Sequence, residues 1–237
     1  MSTYIQNFKK FQPLLNELIM RDIKTKYRKS ILGVFWTILN PLFMMVVLSV
    51  VFSNMFKFDV EYFPVYLLSG QLIFNFFNEA TTNAMGAIVA NGPLIKKIYV
   101  PKYMFVLSRI FSSSINLLAS FTAMIFVMLA MRVELHYTVL LAPIPLIFIV
   151  FFSLGVGLIL SAITVKFRDI MHLYSVFVTA LMYLTPVIYP MSILPEWLKK
   201  IVLLNPITNI LMMFRDVMLN NMLPSIGSIL LAAVETA

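Results

Sequence analysis

The chain has 237 residues, of which 61% are apolar and 12% charged, with 18 Lys and Arg against 10 Asp and Glu and a formal charge of +8. Soluble domains run at about half apolar and about a quarter charged, so this chain cannot cover itself with polar surface in water; membrane residence follows, and disordered and fibrous classes are excluded. The absence of cysteine removes disulfides, thiolate nucleophiles and thiolate metal sites, two histidines leave little for a metal centre, and the basic balance suits an anionic leaflet at least as well as nucleic acid.

The residues before position 33 are too charged and too long to read as a cleavable signal peptide. Within them, 14–28 form an amphipathic basic helix. Leu15, Leu18, Ile19, Ile23 and Tyr27 share one face at spacings of three and four, and Arg21, Lys24 and Arg28 sit on the other. Such a helix lies in the interface plane, either as a plain anchor or as a moving part of a transport cycle.

A helix needs about 20 mostly apolar residues to cross the hydrocarbon core. Five stretches qualify: 33–56, 63–90, 110–131, 139–165 and 170–188. The second is the most polar. Gln71, Asn75, Asn78 and Thr82 fall on one stripe, flanked by Glu79 and Asn83, and the stripe must face protein or water. It is either helix–helix hydrogen bonding or the wall of a pathway. Glu79 is the only acid well inside a span. In the fourth span, Ser153, Gly157 and Ser161 allow close helix approach, a packing role. Phe52 and Phe56 on the first span, with Tyr183 and Tyr189 on the fifth, form either the usual headgroup belt or an inward surface that stacks on sugar rings.

Beyond the fifth span, 191–224 breaks at Asn205-Pro206 into two short helices, neither able to span alone. They read as an external pair that dips into the bilayer or as an interfacial hairpin. A sixth run, 225–237, is too short to cross, and a sixth span cut short is the expectation.

Cations set the orientation. Lys9, Lys10, Arg21, Lys24, Lys26, Arg28 and Lys29 precede the first span, Lys96, Lys97, Lys102 and Arg109 follow the second, and Lys166 and Arg168 follow the fourth. Those links, and the N-terminus, are expected in the cytoplasm. The other links carry fewer: Lys57, Arg132, Lys199, Lys200 and Arg215.

No glycine precedes a lysine, so there is no G-x-x-x-x-G-K phosphate loop, and no Ser/His/Asp or HExxH pattern occurs. With no catalytic and no metal residues to assign, any work must draw on a partner or an ion gradient.

Five segments in order now resemble the ABC transporter permeases that export polysaccharides and polyol phosphates. The first is Arg21-Asp22-Ile23-Lys24 with Tyr27-Arg28, Ser30, Leu32-Gly33, Trp36 and Leu39-Asn40-Pro41-Leu42. Next come Asn91-Gly92-Pro93-Leu94-Ile95-Lys96-Lys97 with Pro101-Lys102, and Phe167-Arg168-Asp169-Ile170. The last two are Thr185-Pro186-Val187-Ile188-Tyr189-Pro190, and Leu204-Asn205-Pro206 with Arg215. Together they cover about 14–219.

The resemblance implies an all-α, polytopic six-span permease, a single transmembrane domain in a bacterial inner or plasma membrane. It implies pairing with a second copy and with two P-loop ATPase subunits that bind the ATP and Mg; the chain itself would need no cofactor and no nucleic acid. Residues 14–28 would gate the cytoplasmic side through Arg21, Asp22, Lys24, Tyr27 and Arg28. The loop 91–102 would couple to the ATPase through 91–97. Spans one and five, with part of two, would line the path, making Phe52, Phe56, Gln71, Asn75, Asn78, Glu79, Tyr183 and Tyr189 candidates. The cargo would be a glycan or polyol phosphate linked to a polyprenyl diphosphate lipid. The rival readings are a permease for a drug or small lipid, and a membrane-embedded glycosyl- or acyltransferase.

Overall fold

Prolines and apolar periodicity mark most of the helix starts. The computed structural model describes residues 2–27, 33–55, 60, 62–97 and 99–236. Among them the elements in order are α1 (Ser2–Tyr27), α2 (Trp36–Met55), α3 (Phe63–Ala90), the single turn α4 (Gly92–Ile95), α5 (Tyr103–Ala130), α6 (Pro143–Lys166), α7 (Ile170–Leu184), α8 (Glu196–Leu203), α9 (Pro206–Met218) and α10 (Ile226–Thr236), with no strand among the described residues. Proline stands in the first turn of α3, α4, α6 and α9, where its missing N–H costs nothing.

Several boundaries differ from the apolar runs. α1 begins at Ser2 rather than at 14, because Phe11 continues the stripe of Leu14, Leu15 and Leu18 onto the core. α5 begins at Tyr103 rather than at 110, since Met104, Phe105, Val106 and Ser108 are buried and the intervening Arg109 pairs with Asp22. α7 ends at Leu184 rather than at 188: Thr185, held ahead of Pro186, is extended (φ −87°, ψ 135°). α2 begins at Trp36 after a 3₁₀ turn that opens on Gly33 at φ 46°, a left-handed conformation that suits glycine.

α3 is the centre of the bundle. It packs along α5 and α6 and is also touched by α2, α7 and α9. The reason lies in its sequence: Val65, Leu68, Ile73, Phe74, Phe77, Ala80 and Ala84 are spread around the helix and all are buried. α3 and α5 both have 28 residues. Among the described helices only α5 and the run Tyr137–Lys166 are long and apolar enough to cross a membrane outright. The polar stripe of Gln71, Asn75, Asn78 and Glu79 keeps α3 from joining them. α8 and α9 qualify together, bent by 96°, and Trp36–Phe52, Ile170–Leu184 and Ile226–Thr236 are shorter apolar helices.

The α3–α6 contact is set by Gly157. A Cβ there would lie 2.8 Å from the Cβ of Ala84. We expect Gly157→Ala to cost about 1–3 kcal/mol by overpacking, read as a lower unfolding temperature in detergent. The added Ala84→Gly change should restore it. Wild-type melting of the single variant would show that the approach constrains nothing.

α7 is loosely held. Only Tyr174 and Val178 are buried on it, with the Tyr174 hydroxyl donating to Thr81 Oγ1 at 2.6 Å. Met171, Leu173, Val176, Phe177, Tyr183 and Leu184 stand exposed, as do Phe43, Met44, Val46, Val47 and Val50 of α2.

Candidate functional site

At the Asn91 end of α3, the last turns of α1 lie across α3 and α5. Their Leu15 and Leu18 are buried, and the same stripe continues four residues at a time to Asp22 and Lys26. Asp22 is turned inward, its side chain only 6% exposed, and both Arg21 (3.0 Å) and Arg109 of α5 (3.3 Å) reach it. Arg21 Nη1 also donates to Asn91 Oδ1 at 3.1 Å. Asn91 is buried, and its Nδ2 donates to the Ala87 carbonyl at 2.8 Å. One arginine therefore joins α1 to the residue that ends α3 and opens the loop after it.

That loop is anchored from below and bare above. Leu94 and Ile95 pack against the core, while Pro93, Lys96 and Lys97 are exposed. Tyr99, which the sequence reading did not single out, is 92% exposed beside them.

Two polar cavities flank the end of α1. One, of about 670 Å³, is lined by Arg21, Asp22, Ile23, Lys26, Asn83, Asn91, Arg109 and Ser112. The other, of about 830 Å³, extends between α2, α3 and α5 and is lined by Trp36, Thr37, Asn40, Gln71, Asn75, Asn78 and Ser120. Four residues line both: Lys26, Glu79, Ser113 and Asn116. Lys26 Nζ lies 2.7 Å from Glu79 Oε1, and Asn116 Nδ2 donates to the same oxygen at 2.7 Å. Glu79 therefore has a partner on α1.

Of the candidate residues, Gln71, Asn75, Asn78 and Glu79 are brought together on the larger cavity, and Arg21 and Asp22 on the smaller. Gln71 is buried, and its Oε1 accepts no hydrogen bond among the described residues. Lys24 is exposed and lines neither cavity; Tyr27 ends α1. Arg28 and Phe56 lie outside the described residues. Phe52 is half-buried, and it too lines neither cavity. Tyr183 is 69% exposed on α7, and the Tyr189 hydroxyl donates to its carbonyl at 2.8 Å. Phe52, Tyr183 and Tyr189 are thus not brought to the polar stripe within one chain. Sequence reasoning missed Lys26, Asn116 and Arg109 as site residues. Their signal was positional: Lys26 continues the buried stripe of α1, and Asn116 is the one amide in α5.

A second polar centre closes the opposite end of α3. Arg215 of α9 is only 6% exposed. Its Nε donates to Ser69 Oγ (3.1 Å), Nη1 to the Tyr66 hydroxyl and the Pro186 carbonyl (both 2.7 Å), and Nη2 to the carbonyls of Tyr66 (3.2 Å) and Val187 (3.1 Å). All five N–H groups of the guanidinium are used. It also stacks 3.5 Å over the Tyr66 ring. Gly70 makes room: a Cβ there would stand 2.7 Å from the Val187 carbonyl oxygen. Asn205 caps α9 through the Ile207 N–H and donates to Thr185 Oγ1 at 2.9 Å. The Thr185-Pro186-Val187 turn and the bent pair α8–α9 are thereby pinned to α3.

The described residues hold no cluster of His, Cys, Asp or Glu suited to a metal ion. What the arrangement offers is a charged, polar compartment at one end of an apolar bundle, tied by single side chains to an exposed loop.

The family described as ABC-2 type transporter matches residues 13–219. The O-antigen export system permease protein RfbA of Klebsiella pneumoniae is 27% identical over 214 residues, 89% of this chain and 82% of that protein. RfbA of Myxococcus xanthus is 29% identical over 234 residues, 98% of this chain and 90% of that one. The polysialic acid transport protein KpsM of Escherichia coli is 24% identical over 206 residues, 84% and 78% of the two chains.

Proposed function

Because this chain belongs to the ABC-2 type transporter family, we propose that it is the permease subunit of an exporter that moves a polyprenyl-diphosphate-linked polysaccharide or polyol phosphate polymer across the bacterial inner membrane. It is a membrane protein and a transporter subunit, not an enzyme, and ATP hydrolysis belongs to a separate subunit. Its relatives are permeases of O-antigen export systems and a polysialic acid transport protein. The observation that carries the reading is the polar cavity beside α1: an apolar bundle excludes a glycan, and Gln71, Asn75, Asn78, Glu79 and Asn116 supply hydrogen bonds at its lining.

The finer points of the reading are these. The N-terminus is cytoplasmic, as the distribution of Lys and Arg favours. α1 gates the cytoplasmic side. Residues 91–97 dock on the ATPase, presenting Pro93, Lys96 and Lys97 with Tyr99 exposed just beyond them, and ATP with Mg is bound in that partner. Two copies form the path, because one bundle is too small to enclose a sugar-sized channel and closed two-fold symmetry is the commonest solution. The bare apolar faces of α2 and α7 suit that contact. Between two copies, Phe52, Tyr183 and Tyr189 would border a shared path.

Purification in mild detergent, with mass spectrometry of the accompanying soluble subunit, tests the class. A stoichiometric P-loop ATPase is expected; a stable dimer of this chain with no ATPase would overturn the reading. For the path, Tyr183→Ala and Tyr189→Ala should each lower export about two- to tenfold, the worth of one aromatic contact, at unchanged membrane abundance. Normal export by both variants would return these rings to the headgroup belt.

A further inference from the structure

Among the described residues, the larger cavity is lined by one cation and one carboxylate, Lys26 and Glu79, and these face each other on its boundary with the smaller one. The smaller cavity adds Arg21 and Arg109, both committed to Asp22. Lys26 is thus a cation whose ion pair to Glu79 spans the boundary, and that carboxylate comes from α3, not from its own helix. The pair is half-exposed, 46% for the lysine side chain and 34% for the glutamate. An ion pair in such water-accessible surroundings is weak, about 1 kcal/mol or less. It can hold a closed arrangement and still yield to a better anion. Asn116 then keeps Glu79 satisfied through the same oxygen once the lysine leaves.

We propose that Glu79 is a displaceable counter-ion, which holds Lys26 across the boundary of the two cavities until the diphosphate of a lipid-linked cargo takes the lysine and joins the cavities. The proposal rests on the lipid-diphosphate reading above. Its chemistry is competition: one carboxylate oxygen against a diphosphate of higher charge, for a single ammonium.

The test uses the full chain with its ATPase subunit in phosphatidylcholine nanodiscs, and Trp197→Phe to leave Trp36, which lines the larger cavity, as the only tryptophan of this chain, isotopically labelled as 5-fluorotryptophan in this chain alone and read by fluorine NMR. The probe is farnesyl diphosphate, compared with farnesol and inorganic pyrophosphate. With the competitor removed, Glu79→Gln should bind farnesyl diphosphate about fivefold tighter, and Lys26→Gln should abolish the gain in the double variant. Because the chain has no cysteine, Asn75→Cys supplies a second readout that leaves the pair intact. Its labelling by a cytoplasmic, membrane-impermeant sulfonate reagent should rise when farnesyl diphosphate is added. Unchanged or weaker binding by Glu79→Gln, or labelling indifferent to the diphosphate lipid, overturns the counter-ion role while wild-type binding leaves the transport reading standing. Equal binding of farnesol and farnesyl diphosphate overturns the lipid-diphosphate reading itself. A response to inorganic pyrophosphate as strong as to the lipid overturns the assignment of a lipid-borne headgroup.

Discussion

Replacing Arg215 by methionine is expected to lower the unfolding temperature by about 10 °C and to remove most folded protein from the membrane at growth temperature. Five N–H groups disappear while their acceptors stay: the carbonyls of Tyr66, Pro186 and Val187, the Tyr66 hydroxyl and Ser69 Oγ. The Tyr66 carbonyl keeps the Ser69 hydroxyl, and the Tyr66 hydroxyl still donates to the Tyr189 carbonyl, so the main loss falls on the Pro186 and Val187 carbonyls; each buried acceptor left unpaired costs about 1–3 kcal/mol. A net loss of about 3–4 kcal/mol corresponds to the stated shift for a chain of this size. Arg215→Lys keeps the charge but has three donors and no plane to stack on Tyr66, so an intermediate loss is expected. Gly70→Ala should resemble Arg215→Met, because its Cβ would press on the Val187 carbonyl. Melting of all three at the wild-type temperature would show that this cluster holds nothing together.

The second large effect is functional. Reversing the charge at both Lys96 and Lys97 should lower export at least about tenfold, the cost of a docking face that turns from basic to acidic. Both side chains are exposed on a loop whose Leu94 and Ile95 point inward, so the fold should persist. Arg21→Gln separates docking from transmission. It cuts the tie to Asn91 and leaves the exposed face untouched. Its complex should assemble normally and hydrolyse ATP, yet export poorly. Export and assembly both unchanged in the double reversal would remove the loop from the coupling role, and normal export by Arg21→Gln would remove the tie.

The membrane class was legible because it rests on runs of apolar residues, which report an apolar environment without tertiary knowledge, and the permease architecture was legible through the five segments that resemble a known family. The polar stripe on α3 was legible too: spacing alone puts Gln71, Asn75 and Asn78 together. Pairings across the chain were not. Lys26 and Glu79 are 53 positions apart, and a lysine before the first span reads as one more orienting charge. Arg215 was counted with the charges of an outer link. Its spacing from Leu211 and Met218 puts it on the buried side of α9, yet a cation on an apolar face is discounted unless five acceptors are known to await it. Asp22 shows the same failure, an acid on the inward stripe of α1 that makes sense only beside Arg109.

The Arg215 cluster also orders events during synthesis. Arg215 follows Tyr66 by 149 positions and Pro186 by 29. At about 5–20 residues per second, a ribosome needs on the order of 10–30 s to travel from the first of these to Arg215. For that interval Tyr66 and Ser69 are already made, joined over the last 29 residues by the Pro186 turn, while their common donor does not exist. The insertion machinery must therefore shelter this end of α3 until α9 arrives, and a nascent chain interrupted between the two would offer a membrane-quality protease an unfinished helix end to seize.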